Sequence, residues 1–187
     1  MGASGAGKST LLHLLGGLEA PEHGTIESGK FSIDRAGAAT LARFRNRQIG
    51  FVFQFHHLLP DLTAAENVSM PLRISGLSGR QAMAAAQQLL SEIGLNSRVS
   101  QSLVGHLSGG EQQRVAVCRA LITNPAMVLA DEPTGNLDAE TGDEIARSLV
   151  NYSRQNRGLV VIATHNRAVA ELCNRTLVLA EGKLRPT

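Results

Sequence analysis

Residues 2–9 read Gly2-Ala3-Ser4-Gly5-Ala6-Gly7-Lys8-Ser9. The fixed positions follow G-x-x-x-x-G-K-[ST], the phosphate-loop pattern. Its glycines let the backbone curl until successive N–H groups point inward at phosphate oxygens. The apolar run Leu11-Leu12-His13-Leu14-Leu15 follows at once and predicts a helix over 9–15, whose positive N-terminal end adds to the anion site. Lys8 is spaced to reach the β- and γ-phosphates of a nucleoside triphosphate, and the Ser9 hydroxyl to ligate Mg²⁺. Gly2, Ser4, Gly5, Ala6, Gly7, Lys8, Ser9 and Thr10 form the candidate nucleotide-binding set.

A second stretch supplies acids. Met127-Val128-Leu129-Ala130-Asp131-Glu132 is an apolar strand ending in two carboxylates, followed by the turn Pro133-Thr134-Gly135. Asp131, at the strand's C-terminal end, suits the Mg²⁺ water shell. Glu132, one residue on, suits a general base for an attacking water. Alone, this pattern fits surface chemistry as well as catalysis; beside a phosphate loop it reads as catalytic.

Composition bounds the rest. The chain has 187 residues, 43% hydrophobic and 18% charged, which fits one globular domain. No run approaches the ~18 apolar residues of a membrane-spanning helix. The net charge of +2, the single tyrosine Tyr152 and the lack of tryptophan give no footing for a nucleic-acid partner. Cys118 and Cys173 read as reduced thiols rather than a disulfide framework.

The pattern alternates strands and helices. Strands are predicted over 49–53, 127–130, 159–163 and 176–180, and helices over 64–74, 81–93, 111–122, 140–154 and 167–173, with Thr63 as an N-cap candidate. Continuous apolar strands alternating with helices predict an α/β fold, a parallel sheet covered on both faces. Residues 56–106 break the rhythm and read as an inserted α-helical subdomain between core segments 1–55 and 107–187.

Leu107-Ser108-Gly109-Gly110-Glu111-Gln112-Gln113-Arg114 precedes the helix that leads to the acidic strand. A Ser-Gly-Gly turn at a helix N-terminus is a second anion site. This stretch, together with Val128-Leu129-Ala130-Asp131-Glu132-Pro133-Thr134-Gly135-Asn136-Leu137-Asp138, resembles the ATP-binding subunits of ABC transporters. The resemblance implies a P-loop NTPase, RecA-like core that binds and hydrolyses ATP with Mg²⁺. It implies a head-to-tail dimer, with itself or a homologous ATPase, in which Ser108, Gly109 and Gly110 of one subunit cover the γ-phosphate held by the other. Gln54 resembles the glutamine that senses Mg²⁺ and the attacking water, Asp138 the residue that crosses the dimer junction, and His165 the switch histidine at the γ-phosphate. A lone His after a strand is more often structural; the accompanying motifs reverse that reading.

The stretch Gln54-Phe55-His56-His57-Leu58-Leu59-Pro60-Asp61-Leu62-Thr63-Ala64-Ala65-Glu66-Asn67-Val68 resembles the LolD-type ATPases of lipoprotein-releasing systems, within the MacB-like and FtsE-like group. This implies a peripheral subunit at the cytoplasmic face of a bacterial inner membrane. Transmembrane permease subunits would contact the loop after Gln54 and the helical subdomain, with His56 and His57 at that surface. Such ATPases carry strands and an adenine-stacking aromatic ahead of the phosphate loop, so the sheet is expected to lack N-terminal strands, as in a truncated chain. Two alternatives stay open at this level: an FtsE/MacB-like ATPase with a different membrane partner, and a fragment without activity.

Overall fold

The computed structural model describes residues 1–3 and 5–187. Its helices are α1 (Lys8–Leu15), α2 (Ala38–Gln48), α3 (Ala64–Ile74), α4 (Gly79–Glu92), α5 (Ser97–Gln101), α6 (Gly109–Leu121), α7 (Ala139–Asn156) and α8 (Arg167–Glu171). Its strands are β1 (Glu27–Ser28), β2 (Phe31–Ser32), β3 (Ile49–Val52), β4 (Met127–Asp131), β5 (Leu159–Ala163), β6 (Leu177–Ala180) and β7 (Lys183–Pro186).

The centre is a parallel sheet in the order β3-β4-β5. Val52 pairs with Ala130, and Ala130 with Ile162, so all three strands end at one edge. Strand β4 is buried on both faces. Val128 and Ala130 pack with Val117 and Ala120 of α6 and Ile145 and Leu149 of α7, while Met127 and Leu129 pack with Leu12 of α1. The two faces follow from the strand's side-chain period of two.

Helix α6 is also buried on two sides. Val117 and Ala120 face the sheet, and Val115 and Cys118 face a second core built with Ala65 and Val68 of α3 and Ala86 and Leu90 of α4. Burial pushes the Cys118 thiol up to about 12, and both cysteines are free, as the sequence predicts. Residues 56–106 hold α3, α4, α5 and one 3₁₀ turn, Val104–His106.

Expectation and structure differ in three places. Strand β6 does not join the parallel sheet; it forms an antiparallel hairpin with β7. The two-residue loop explains this: Glu181 and Gly182 have φ of +52° and +71°, the left-handed pair that a tight hairpin requires. A second hairpin, β1–β2, turns on Gly29 at φ +60°. Helix α2 carries no fully buried residue. It is fixed by Phe44, whose ring stacks on Phe31 with centroids 4.0 Å apart, and by Leu41. A Cβ on Gly17 would lie 2.7 Å from Leu41 Cδ1, so that close approach needs glycine. Between β5 and β6 lies a cavity of about 450 Å³ lined by Leu12, Leu15, Val161, Cys173, Leu177 and Leu179.

Thr63 caps α3 in a reciprocal box. The Glu66 N–H donates to the Thr63 hydroxyl at 3.2 Å, and the Thr63 N–H donates to the Glu66 carboxylate at 2.8 Å. These bonds hold the Glu66 carboxyl below its ordinary value, the Thr63 backbone N–H first among them. Its stabilisation is therefore complete above the unfolded carboxyl value and lost as pH falls through the lowered folded value. Thr63→Ala should cost about 1 kcal/mol in urea unfolding at neutral pH. The Glu66→Gln deficit should shrink as pH falls below about 4; a deficit that stays constant down to pH 2 would contradict the assignment.

Candidate active site

Parallel pairing brings three chain segments to one edge. Gln54 follows β3, Asp131 ends β4 with Glu132 directly after it, and Thr164 and His165 follow β5. This carboxyl edge is where open α/β sheets bind ligands.

Glu132 stands at the centre. Its backbone is left-handed, with φ +43°, and its N–H donates to the Ala163 carbonyl at 2.8 Å. Its Oε1 accepts the His165 backbone N–H at 3.1 Å and lies 2.8 Å from His165 Nδ1. Its Oε2 accepts the Thr164 hydroxyl at 3.1 Å. Lys8 Nζ stands 3.9 Å from Oε1, and both side chains are largely enclosed, 11% and 13% exposed. The three predicted residues Lys8, Glu132 and His165 thus meet.

Lys8 opens α1 after Gly7, whose φ of +92° no other residue type adopts readily. Its ammonium bonds the carbonyls of Gly2 and Ala3 at 2.9 and 3.0 Å, curling the loop over its own lysine. Gly2 passes close to β6: a Cβ there would lie 2.7 Å from the Leu179 carbonyl oxygen. Gly5 has φ +77°, and the Ala6 N–H donates to Ala3 at 3.2 Å. Ser9 and Thr10, in the first turn of α1, are exposed. Ser4 lies outside the described residues.

Gln54 lies beside the loop after Glu132. Its Nε2 is 3.4 Å from Asn136 Oδ1, and a Cβ on Gly135 would sit 3.2 Å from it. Asp131 Oδ1 is buried and, among the described residues, has no hydrogen-bond partner. A buried carboxylate oxygen with no donor is suited to a hydrated divalent cation. Among the described residues no three His, Cys, Asp or Glu side chains form a metal cage. A hard cation shared with phosphate oxygens needs no such cage.

Ser108, Gly109, Gly110 and Asp138 lie apart from this centre. Ser108 caps α6 with its own box to Glu111, and Asp138 caps α7 by accepting the Thr141 N–H at 2.9 Å. That N–H holds the Asp138 carboxyl below its ordinary range. A Cβ on Gly110 would lie 3.0 Å from Thr141 Cγ2, so the two helix ends touch. Among the described residues no hydrogen bond or ion pair joins Ser108, Gly109 or Gly110 to Lys8 or Glu132.

Three contributors carry no signal in the sequence: Thr164, Asn136 and Arg119. Arg119, on α6, donates to the backbone carbonyls of His57 and His56 at 2.6 and 2.7 Å. Burial lowers its pKa, and among the described residues no carboxylate pairs with it. It fixes the segment after Gln54, where His57 takes a left-handed φ of +46°.

The ABC transporter family profile matches residues 1–135. The chain is a member of the ABC transporter family. A relative from Geobacter metallireducens, named lipoprotein-releasing system ATP-binding protein LolD, is 52% identical over 98% of this chain and 81% of its own length. The protein of the same name from Oleidesulfovibrio alaskensis is 48% identical over 98% of this chain and 79% of its own length. Among solved structures, a dimeric post-hydrolysis state of the ATP-binding cassette MJ0796, bound to ADP and Pi, superposes with a TM-score of 0.91. It is 37% identical and covers all of this chain, which spans 83% of it. The ABC-family fold and the clustered motif residues thus coincide in one chain.

Arg119→Met should cost about 2 kcal/mol in urea unfolding, because it leaves the His56 and His57 carbonyls without donors. Arg119→Lys should recover only part of that loss, since an ammonium lacks the planar fork that serves both oxygens. Full recovery by lysine would contradict a two-pronged clamp.

Proposed function

We propose that this chain is the ATP-hydrolysing subunit of an ABC transporter that releases lipoproteins from a bacterial inner membrane. The observation that carries the reading is the meeting of Lys8, Glu132 and His165, drawn from three separate stretches onto one point.

The triphosphate lies in the loop of Gly2, Ser4, Gly5, Ala6 and Gly7, with Lys8 turning from the Gly2 and Ala3 carbonyls to the β- and γ-phosphates and Thr10 at the mouth of the helix. The residues that would hold Mg²⁺ are Ser9, Asp131 and Gln54; the ion supplies neutralisation of phosphate charge. Glu132 takes a proton from water as the water oxygen attacks the γ-phosphorus. The bond from that phosphorus to the β–γ bridging oxygen breaks, leaving ADP and phosphate. His165 steadies Glu132 and faces the γ-phosphate. Catalysis is positioning plus charge stabilisation.

Two copies, or one copy and a homologous ATPase, pair head to tail. Ser108, Gly109 and Gly110 then cover the γ-phosphate on the opposite subunit, with Asp138 at the junction. The exposure of Ser108 and Gly109, and the lack of any hydrogen bond from this turn to Lys8 among the described residues, support that reading. Permease subunits dock beside Gln54 and on residues 56–106, a helical subdomain inserted in the core of 1–55 and 107–187. Phe55 and Ile74, 69% and 68% exposed, lie in that region with Leu59 and Leu77. The chain works as a peripheral subunit on the cytoplasmic face; among the described residues no helix is long and apolar enough to cross a membrane.

Steady-state MgATP hydrolysis tests the reading. Glu132→Gln should lower turnover at least ~10²-fold while keeping ATP binding and trapping an ATP-bound dimer. Turnover at the wild-type rate would remove Glu132 as base. Ser108→Arg should bind ATP as a monomer and form no ATP-induced dimer by light scattering; normal dimers would contradict action across the interface.

A further inference from the structure

Glu132 is a base only if its carboxylate stays at the sheet edge, and that depends on backbone a non-glycine residue does not prefer. A left-handed φ is unfavourable for a residue with a Cβ, which crowds the following carbonyl oxygen. Such a conformation persists only where the surroundings impose it. Strand pairing imposes part of it, through the Glu132 N–H to the Ala163 carbonyl. The turn closes on itself by the Gly135 N–H to the Glu132 carbonyl at 3.1 Å.

The next peptide unit is held from outside the turn. Gln113, on α6, donates from Nε2 to the Pro133 carbonyl at 2.7 Å. Gln113 is 1% exposed, and Pro133 is buried. The other half of the amide gains nothing: Gln113 Oε1 is buried and has no partner among the described residues. An orphaned buried acceptor forfeits its hydration without recompense, so an apolar side chain of the same size is the better core residue. What glutamine supplies that an apolar residue does not is one donor, aimed at the carbonyl directly after the base.

We propose that Gln113 is a positioning residue for hydrolysis, holding the Pro133 peptide so that Glu132 stays left-handed and its carboxylate stays beside Lys8 and His165. The proposal rests on the reading of Glu132 as the base. It also gives α6 a second role. The helix whose N-terminus carries Ser108, Gly109 and Gly110 fixes, about one and a half turns further on, the turn that carries the base of its own subunit.

Gln113→Met keeps length and bulk, removes the donor and removes the orphaned acceptor. Gln113→Asn keeps the amide and shortens its reach by one methylene, and it serves as the second variant should the first fold poorly. Both should lower kcat for MgATP roughly ten-fold, the loss expected for one hydrogen bond that holds a base. The ATP KM should stay within about two-fold, and Gln113→Met should melt no lower than wild type. The double variant Gln113→Met, Glu132→Gln should still trap the ATP-bound dimer, because the base is already absent. Unchanged kcat in both variants would overturn the proposal. So would a joint loss of ATP binding, dimer trapping and melting temperature, which marks a merely structural residue. Failure of the underlying reading looks different: Glu132→Gln alone then turns over at the wild-type rate.

Discussion

The parallel pairing of β4 with both of its neighbours is the constraint on which the site depends. A buried strand paired on two sides cannot slide without unpairing two ladders and moving both of its side-chain sets to wrong faces. Its register therefore fixes where Gln54, Asp131, Glu132 and His165 leave the sheet. Helix α1 locks to the same strand through Leu12, which brings Lys8 to the edge where the carboxylates emerge. Five residues from four distant stretches reach one edge of the sheet because one strand cannot shift.

Charge completes the arrangement. Glu132 holds two backbone and hydroxyl donors and stands beside an ammonium and an imidazole. Lys8 is shared between that carboxylate and two loop carbonyls. In the function proposed above, phosphate oxygens would give Lys8 a stronger anionic partner and open an acceptor position on Glu132 to water.

Much of this was legible in the sequence, for identifiable reasons. The helix over 64–74 with its Thr63 cap and the strand over 159–163 coincide with α3 and β5, because strong apolar periodicity and capping chemistry act locally. The phosphate loop and acidic strand end were legible because glycines and carboxylates there serve geometry with few substitutes. Helix α2 was not, since it buries no side chain completely and depends on Phe31, an aromatic from a hairpin too short to register as a strand pair. The antiparallel turn of β6 depended on left-handed backbone at Glu181, where nothing in a glutamate announces it. Arg119 and Gln113 act on backbone carbonyls remote in sequence, and a carbonyl leaves no trace in residue identity.

The outer edge of β5 has a bearing on how this chain behaves in a tube. Among the described residues β5 pairs only with β4, and the strand flanks the apolar cavity next to β6. Leu159, at its start, is 58% exposed. An uncapped row of peptide groups on a short, uncharged, β-branched strand is a template for another chain's strand. Colloidal behaviour, rather than chemistry, is then the first property this edge governs. An edge of this kind favours addition of an extended apolar segment as a further strand, and how far a chain stays dispersed depends on how well such a slot is filled.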